Sequence, residues 1–429
     1  MPSRRLISRR QFTHGLAAAG VAGPTLFTSL SKTRAAANER LTLGMIGVGT
    51  MGRGHVGRFL GYGDVQIVAV CDVVAERRDH SKAKVEEHYA KQSGKGTFRG
   101  CASHDDFREL LAIDGLDAVL IATPDHWHVT AAILAARAKK DIYCEKPLTL
   151  TIGEGRRLVD EVRANKVIFQ TGSQQRCEFD GRFRTACELI RNGRIGQVKT
   201  VRVGVGGPPV PCDLTEQEVP KGTDWNFWLG PAAWRGYNEE LCPKGVHKHF
   251  PAFRNYREFA GGGLADMGAH HFDIAQWALD MDGSGPVKIE PPSGDATTGL
   301  KFTYANGIEM FHGGPSGCTF IGDKGTIYVD RSKLESTPAE IVNTPLSESD
   351  SRLYHADDHG RNWLDCIASR KLPIADVEIG HRSATVCHLA NLGYQLRRTL
   401  HWDPVKERFT GDEEANGLLN RVSRDPWKI

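Results

Sequence analysis

Short apolar runs alternate with longer amphipathic segments in the part of the chain that follows residue 40. Such runs are typical of buried strands, and the longer segments, with apolar residues every three or four positions, are typical of the helices that cover them. This alternation predicts a parallel sheet with helices on both faces. The predicted strands are 41–46, 66–71, 117–122, 141–144 and 167–171, and the predicted helices are 53–62, 129–140 and 152–165.

The pattern changes after residue 165. Short segments that alternate apolar and polar residues predict an antiparallel sheet, because alternation places one face of each strand on the core. These segments are 198–204, 300–304, 308–312 and 325–329. We therefore predict an α/β protein with a doubly wound parallel sheet in residues 38–165. Residues 166–429 are predicted to form an α+β domain with an open, largely antiparallel sheet.

Residues 1–37 differ from the rest of the chain in charge, since they carry six arginines and lysines and no acidic residue. Arg9 and Arg10 form a pair, a mildly apolar stretch runs from 15 to 30, and three alanines follow at 35–37. This order is typical of an export signal, and the paired arginines indicate the twin-arginine route. A basic amphipathic helix or tail is the alternative. We expect an exported, periplasmic protein that engages the twin-arginine export machinery and has no stable membrane anchor.

Composition restricts the class of protein further. The 429 residues hold 55 Lys and Arg against 52 Asp and Glu, and this balance argues against a nucleic-acid-binding protein. A hydrophobic fraction of 40% excludes intrinsic disorder. The ten cysteines are scattered and lack Cys-x-x-Cys spacing. We interpret most of them as small core residues rather than as a disulfide framework.

A glycine-rich turn joins the first predicted strand to the first helix. Gly47, Gly49 and Gly52 have the G-x-G-x-x-G spacing, and Asp72 ends the next strand. This context is the dinucleotide-binding fingerprint: the glycines permit a tight turn, close approach of a pyrophosphate, and helix packing. Asp72 would accept hydrogen bonds from the adenosine ribose, which favours NAD. Arg77 and Arg78, which follow closely, leave NADP open.

Two other motifs end predicted strands. The segment 123–128 (Thr-Pro-Asp-His-Trp-His) follows the strand 117–122, and 145–147 (Glu-Lys-Pro) follows the strand 141–144. Ligands bind at the carboxyl ends of parallel strands. We therefore expect both motifs at the same edge of the sheet as the glycine turn.

Together these motifs resemble those of the Gfo/Idh/MocA family of oxidoreductases, which includes glucose-fructose oxidoreductase and inositol dehydrogenase. The resemblance rests on the glycine turn with Asp72, on 122–128, on 145–147, and on Asp-Met-Gly-Ala-His at 266–270. It covers nearly the whole chain after residue 37. It implies an N-terminal Rossmann domain that binds NAD, and a C-terminal domain that binds substrate and forms homo-oligomers.

The resemblance implies catalytic roles for three residues. Lys146 reaches the substrate and the nicotinamide ribose, and His270 acts as the general base with Asp266 on the same helix. A spacing of four places Asp266 and His270 on one helix face, where a carboxylate can orient an imidazole and raise its basicity. Asp273 is an alternative partner of His270. An ordinary surface lysine and a core histidine are the alternatives for Lys146 and His270.

The other expected contacts follow from the same resemblance. The segment 172–176 (Gly-Ser-Gln-Gln-Arg) resembles the family segment that contacts nicotinamide and substrate, although capping of the next helix is the alternative role of its last three residues. The expected cofactor contacts are Gly47, Gly49, Thr50, Met51, Gly52, Asp72, Thr123, Pro124, His126, His128, Glu145, Lys146 and Gln174. The expected substrate contacts are Gln175, Arg176, Asp266 and His270.

Two histidine pairs raise the alternative of a metal site. His126 and His128, and likewise His247 and His249, have a spacing that metal ligands use. No cysteine or carboxylate accompanies either pair in the sequence, so we assign no metal. We expect His247 and His249 to line a polar loop near the substrate.

These observations predict an NAD(P)-dependent oxidoreductase that acts on a hydroxyl or carbonyl of a sugar or polyol, with a tightly bound cofactor. Aromatic residues interleaved with arginines in 221–263 suit a carbohydrate, whose ring has apolar faces and polar edges. An NAD-dependent glycosidase of the same superfamily is one alternative, because it would use the same residues. A catalytically silent sugar-binding protein is another.

Overall fold

The computed structural model describes residues 40–93 and 100–429. In its first domain, six parallel strands lie in the order β3-β2-β1-β4-β5-β6, the order of a Rossmann sheet. All five predicted strands are found, two at the predicted bounds and three with ends shifted by one or two residues, and β3 is an addition. The strands are β1 (Leu41–Ile46), β2 (Val65–Cys71), β3 (Ala102–His104), β4 (Ala118–Ile121), β5 (Asp141–Cys144) and β6 (Phe169–Thr171).

Helices connect these strands and cover both faces of the sheet. The predicted helix 152–165 is found at those bounds, and the other two predicted helices begin three and four residues earlier than predicted. The sequence pattern did not predict the longest of the five, because it buries only five of its 19 residues. The helices are α1 (Thr50–Phe59), α2 (Ala75–Ser93), α3 (Phe107–Leu111), α4 (Asp125–Arg137) and α5 (Ile152–Asn165).

The second domain contains an eight-stranded sheet in which every strand pairing is antiparallel. The four predicted strand segments all lie in it, and the long strand β10 pairs with β7, β9 and β11. Its strands are β7 (Val198–Gly204), β8 (Lys288–Glu290), β9 (Lys301–Thr303), β10 (Glu309–Gly322), β11 (Thr326–Val329), β12 (Leu334–Thr337), β13 (Leu400–Asp403) and β14 (Arg408–Phe409).

Several helices of the second domain pack on its sheet, and one of these also contacts α5 and β6 of the first domain. Another of them, α8, packs on β7 and β10 and against α11, and it carries Asp266 and His270. Nearly all of α8 is buried, so its position is fixed from both sides. These helices are α6 (Arg182–Arg191), α7 (Trp225–Leu229), α8 (Gly262–Ala278), α9 (Glu340–Asn343), α10 (His359–Ser369), α11 (Val377–Leu396) and α12 (Glu413–Gly417).

The boundary between the domains differs from the predicted one. Strand β6, beyond residue 165, still pairs with β5 in the first sheet. The chain also returns to the first domain, because Trp363, Val377 and Trp427 are buried within its two hydrophobic cores. A division at a single residue is therefore wrong: segments far along the chain complete the nucleotide-binding domain.

Two other findings bear on the sequence predictions. The predicted export signal, residues 1–37, lies outside the described residues. In the described part of the chain, all helices are too short or too polar to span a bilayer. All ten cysteines are free thiols, nine of them buried and Cys212 half-buried, which confirms their interpretation as core residues.

Candidate active site

The glycine turn has the geometry that a dinucleotide requires. Gly47 has a φ of +81°, which favours glycine, and a Cβ on Gly52 would lie 2.0 Å from the Gly47 carbonyl oxygen. A Cβ on Gly49, in contrast, would meet nothing within 4 Å. The turn is therefore tight beneath α1 and open above Gly49, where a pyrophosphate would meet the N-terminus of α1.

Asp72 lies at the end of β2, beside this turn. Its carboxylate accepts hydrogen bonds from the Val48 and Val74 N–H groups, at 2.9 and 3.0 Å. Each oxygen keeps acceptor capacity for a ribose hydroxyl. Arg77 donates to the carbonyls of Pro243 and Gly245, and Arg78 donates to the Asp72 carbonyl. Both arginines thus donate to backbone oxygens in this structure, and the Asp72 carboxylate beside the turn favours NAD, because it would repel a 2′-phosphate.

The glycine turn opens into a cavity of about 480 Å³ that extends to α8 of the second domain. Twelve of the residues predicted as contacts line it together. They are Gly47, Gly49, Thr50, Met51, Asp72, Thr123, Pro124, Glu145, Lys146, Gln174, Asp266 and His270. The structure therefore brings the predicted cofactor and substrate ends of the site into one continuous space.

The buried Glu145 carboxylate fixes the position of the Glu-Lys-Pro motif through its hydrogen bonds. Its carboxylate is 2.7 Å from His55 Nε2 and accepts a 2.7 Å hydrogen bond from the Gln174 amide. Burial raises the pKa of Glu145, but the contacts with His55 and Lys146 outweigh it and leave the pKa below its ordinary value. The charged carboxylate thus holds Lys146 and Gln174 at the cavity wall.

Lys146 joins the two domains through an ion pair with Asp266. Its ammonium group donates to the Asp266 carboxylate at 2.7 Å and to the Asp266 carbonyl at 2.9 Å. Burial raises the pKa of Asp266, but Lys146 and Arg254 outweigh it and keep the pKa below its usual range. Because an ammonium has three donors, one N–H of Lys146 remains for a ligand.

His270 lies one turn further along α8 and is almost fully buried. In the described part of the chain its Nδ1 has no hydrogen-bond partner. Burial, and then the positive charges of Lys146 and Arg331, hold the pKa of His270 well below its ordinary value. The expectation that a carboxylate raises its basicity is therefore wrong: Asp266 pairs with Lys146, and Asp273 accepts from Arg176 and Ser383. His270 is a neutral imidazole.

The predicted substrate contacts of Gln175 and Arg176 are not found, since both side chains are buried outside the cavity. Arg176 makes paired hydrogen bonds to Asp273 and Asp282 at 2.7 to 2.9 Å. Gln175 donates to the His270 carbonyl at 3.4 Å and accepts from Arg331 at 3.0 Å. Gln175 positions residues that line the cavity, and Arg176 is structural.

His126 and His128 also lie outside the cavity lining. His126 Nε2 is 3.0 Å from the Trp228 carbonyl, a contact between α4 and α7. His128 lies between the carbonyls of Thr123 and Pro147, 2.9 and 2.7 Å away. The predicted cofactor contacts of these two histidines are therefore replaced by structural ones: His128 ties together the two motif loops.

Among the cavity residues that escaped the sequence prediction, three carry ionisable groups that interact with the Asp266 carboxylate. Asp125 begins α4, and burial raises its pKa to about 7. Arg254 is held between the rings of Phe250 and Phe253, 4.8 and 4.7 Å away, and lies 3.7 Å from the Asp266 carboxylate. Arg331 follows β11. Asp125 lies within the Thr-Pro motif, which was the available signal, whereas the arginines come from distant loops.

The aromatic segment 221–263 mostly packs against itself. Trp225 and Trp228 stack with ring centroids 4.7 Å apart, and both belong to a buried cluster with Tyr237 and Phe259. His247 and His249, expected near the substrate, lie instead against Thr50 in the glycine turn. The segment thus contributes cavity wall at both ends of the site.

This geometry defines a two-domain protein in which a dinucleotide-binding turn and the second domain share one cavity. Two family models match the chain: the oxidoreductase-family NAD-binding Rossmann fold over residues 41–173, and the oxidoreductase-family C-terminal alpha/beta domain over residues 211–429. The chain belongs to the Gfo/Idh/MocA oxidoreductase family, and its first domain is the NAD-binding domain of that family.

Two curated relatives match part of this chain at about 30% sequence identity. The chain is 30% identical over 174 residues to a myo-inositol 2-dehydrogenase of Thermotoga maritima, covering 40% of this chain and 48% of that protein. It is 30% identical over 208 residues to a glycosyl hydrolase family 109 protein of Saccharopolyspora erythraea, covering 46% and 44%. The matched regions thus span about half the length of these relatives.

Solved structures share the fold. The WlbA dehydrogenase of Bordetella pertussis, in complex with NADH and UDP-GlcNAcA, is 17% identical with a TM-score of 0.58, over 85% of this chain and 99% of that one. An aldose-aldose oxidoreductase of Caulobacter crescentus is also 17% identical, with a TM-score of 0.57, over 84% and 99%.

Proposed function

We propose that this protein oxidises a secondary or anomeric hydroxyl of a sugar or polyol, or reduces the corresponding carbonyl, with tightly held NAD. One observation carries the proposal: the Lys146–Asp266 ion pair and the unpartnered His270 share a cavity with the glycine turn. The inositol dehydrogenase relative supports a polyol as substrate class. Bound NAD would supply the acceptor for a hydride from the carbinol carbon.

The chain's own residues provide binding, orientation and proton transfer. The free N–H of Lys146 would donate to the reacting oxygen and stabilise negative charge there. His270 is neutral, so it can accept the hydroxyl proton. Burial and the charge of Lys146 lower the pKa of His270, so an imidazolium beside Lys146 costs free energy. A negatively charged, alkoxide-like oxygen close to both cations would offset part of that cost. Gln175 supports this arrangement through the His270 carbonyl.

A redox-neutral glycosidase is the second candidate. Elimination of a leaving alcohol requires a proton donor as well as a base. Asp125 lines the same cavity and has a pKa of about 7, so its carboxyl can hold a proton at neutral pH. The relative from glycosyl hydrolase family 109 supports this reading.

The proposal includes export. The paired arginines, apolar stretch and alanines of residues 1–37 support passage through the twin-arginine route to the periplasm. Free NAD is expected to be scarce there, so a cofactor carried in with the folded protein would have to be retained and regenerated in place. Homo-oligomers, as implied by the family, are part of the same proposal.

The first experiment is an absorbance and mass analysis of nucleotide in protein purified from the exported fraction, before and after addition of a sugar and polyol panel. Reduction of bound NAD would support the oxidoreductase, whereas product without net reduction would support the glycosidase.

Lys146→Met and His270→Asn should lose at least about 100-fold in turnover while still binding NAD. His271→Asn, on the same helix but outside the cavity, is the matched control.

Three results would count against the proposal. Absence of bound nucleotide would contradict tight retention, and absence of the protein from the exported fraction would contradict export. A sugar that binds but is never converted would favour the silent binding protein.

A further inference from the structure

Residues 243–250 of the second domain, here called the strap, cross the glycine turn of the first. The Thr50 hydroxyl donates to the His249 carbonyl at 2.8 Å, and the Arg53 guanidinium donates to the His247 carbonyl. Arg77 holds the start of the strap through the Gly245 carbonyl at 3.1 Å. The strap therefore lies beside the place where a pyrophosphate would meet the first turn of α1.

The ring of His247 has a defined proton arrangement. Its Nδ1 is 2.9 Å from the His249 carbonyl oxygen, and a carbonyl only accepts, so Nδ1 carries the hydrogen. In the neutral ring Nε2 then holds a lone pair. That Nε2 is enclosed and has no hydrogen-bond partner within the described residues, and His247 is one of the residues that line the cavity together with Gly49 and Thr50.

An unprotonated Nε2 can only accept a hydrogen bond, and pyrophosphate oxygens are acceptors as well. The neutral ring therefore cannot bind a pyrophosphate through Nε2. The titratable and charged groups that face His247 are the two cations Arg53 and Arg77 and the neighbouring ring of His249. Burial, and then the charge of Arg77, hold the pKa of His247 at about 4 without ligand. A pyrophosphate beside the ring would reverse this balance, because a nearby negative charge favours the protonated form.

We propose that His247 latches the cofactor by taking up a proton when NAD binds. Nε2 gains a proton from solvent and donates a hydrogen bond to a pyrophosphate oxygen, so the strap holds NAD across the domain boundary. This inference rests on the proposed NAD-dependent function. Because binding takes up a proton, affinity falls as pH rises, by up to about tenfold per pH unit between the free-state and bound-state pKa values.

The test is calorimetric titration of the full chain, stripped of nucleotide, at pH 6 in buffers of different ionisation enthalpy. NAD and ADP-ribose should each cause uptake of at least about half a proton, since both contain the pyrophosphate. Adenosine, which lacks it, should cause none. His247→Asn keeps a donor toward the His249 carbonyl but cannot titrate, so it should abolish the uptake and weaken NAD binding. His249→Asn is the matched control and should retain the uptake.

Each outcome decides the proposal. NAD binding without proton uptake, or uptake unchanged in His247→Asn, would overturn the latch while leaving the NAD-dependent function intact. If His247→Asn does not fold, the comparison of ADP-ribose with adenosine on the native protein still decides it. Uptake with NAD but not with ADP-ribose would assign the proton to the nicotinamide end and overturn the latch. Failure of all nucleotides to bind would instead contradict the proposed function itself.

Discussion

At the scale of single residues, Asp125 makes the clearest prediction. Its folded-state pKa of about 7 lies above the ordinary value because the carboxyl is buried. The folded state therefore keeps a proton that the unfolded chain loses, and stability decreases as pH rises from about 4 to about 7. Asp125→Asn removes this dependence. Urea unfolding of the nucleotide-free protein should show the variant gaining stability over the native chain, by up to about 4 kcal/mol at pH 8 and little at pH 4.

The exposed Asp213 supplies the control for this prediction. Asp213→Asn should follow the native protein at both pH values, because this side chain is exposed and lies outside the cavity. A constant difference between Asp125→Asn and the native protein across pH would show that the Asp125 carboxyl ionises normally. It would also remove the physical basis for Asp125 as a proton donor in the glycosidase alternative.

At the scale of elements, Arg176 links the turn after β6 to α8. Its guanidinium is buried against Asp273 and Asp282 and lies over the Trp277 ring, 4.9 Å from the centroid. Arg176→Met would leave the fully buried Asp273 without its counter-charge, at a cost of about 3–5 kcal/mol in unfolding free energy. Urea denaturation should show this loss, and Asp273→Asn in the same chain should restore part of it. A loss below about 1 kcal/mol, together with a raised KM for substrate, would return Arg176 to its predicted substrate role.

Elements near the site differ in how far the sequence predicts them. The glycine turn and the strand ends are local patterns, so most residues on the cofactor side of the cavity could be predicted, whereas Gly52, His126 and His128 lie outside its lining. The Lys146–Asp266 ion pair joins positions 120 apart, and only the family resemblance brought them together. Gln175 and Arg176 were misplaced because spacing does not show which side of a short turn faces the cavity. Arg254, Arg331 and the strap come from second-domain loops whose paths depend on tertiary packing.

At the scale of the whole molecule, the cysteines connect the fold to the proposed export. Proteins of oxidising compartments commonly form disulfides, whereas nine of these ten thiols are buried and all are free. Burial also raises the pKa of thiols such as Cys144 and Cys187 well above the ordinary value, which suppresses the reactive thiolate. A chain that folds before it crosses a membrane would arrive with its thiols already protected.

We therefore expect about one thiol, that of the half-buried Cys212, to react with a chromogenic disulfide reagent in the native exported protein, and ten after denaturation without reductant. Added reductant should leave the melting temperature unchanged. Fewer than ten thiols in the denatured exported protein, or a melting temperature that falls in reductant, would mean that disulfides form after export. That result would contradict the inference that the thiols are protected before the chain leaves the cytoplasm.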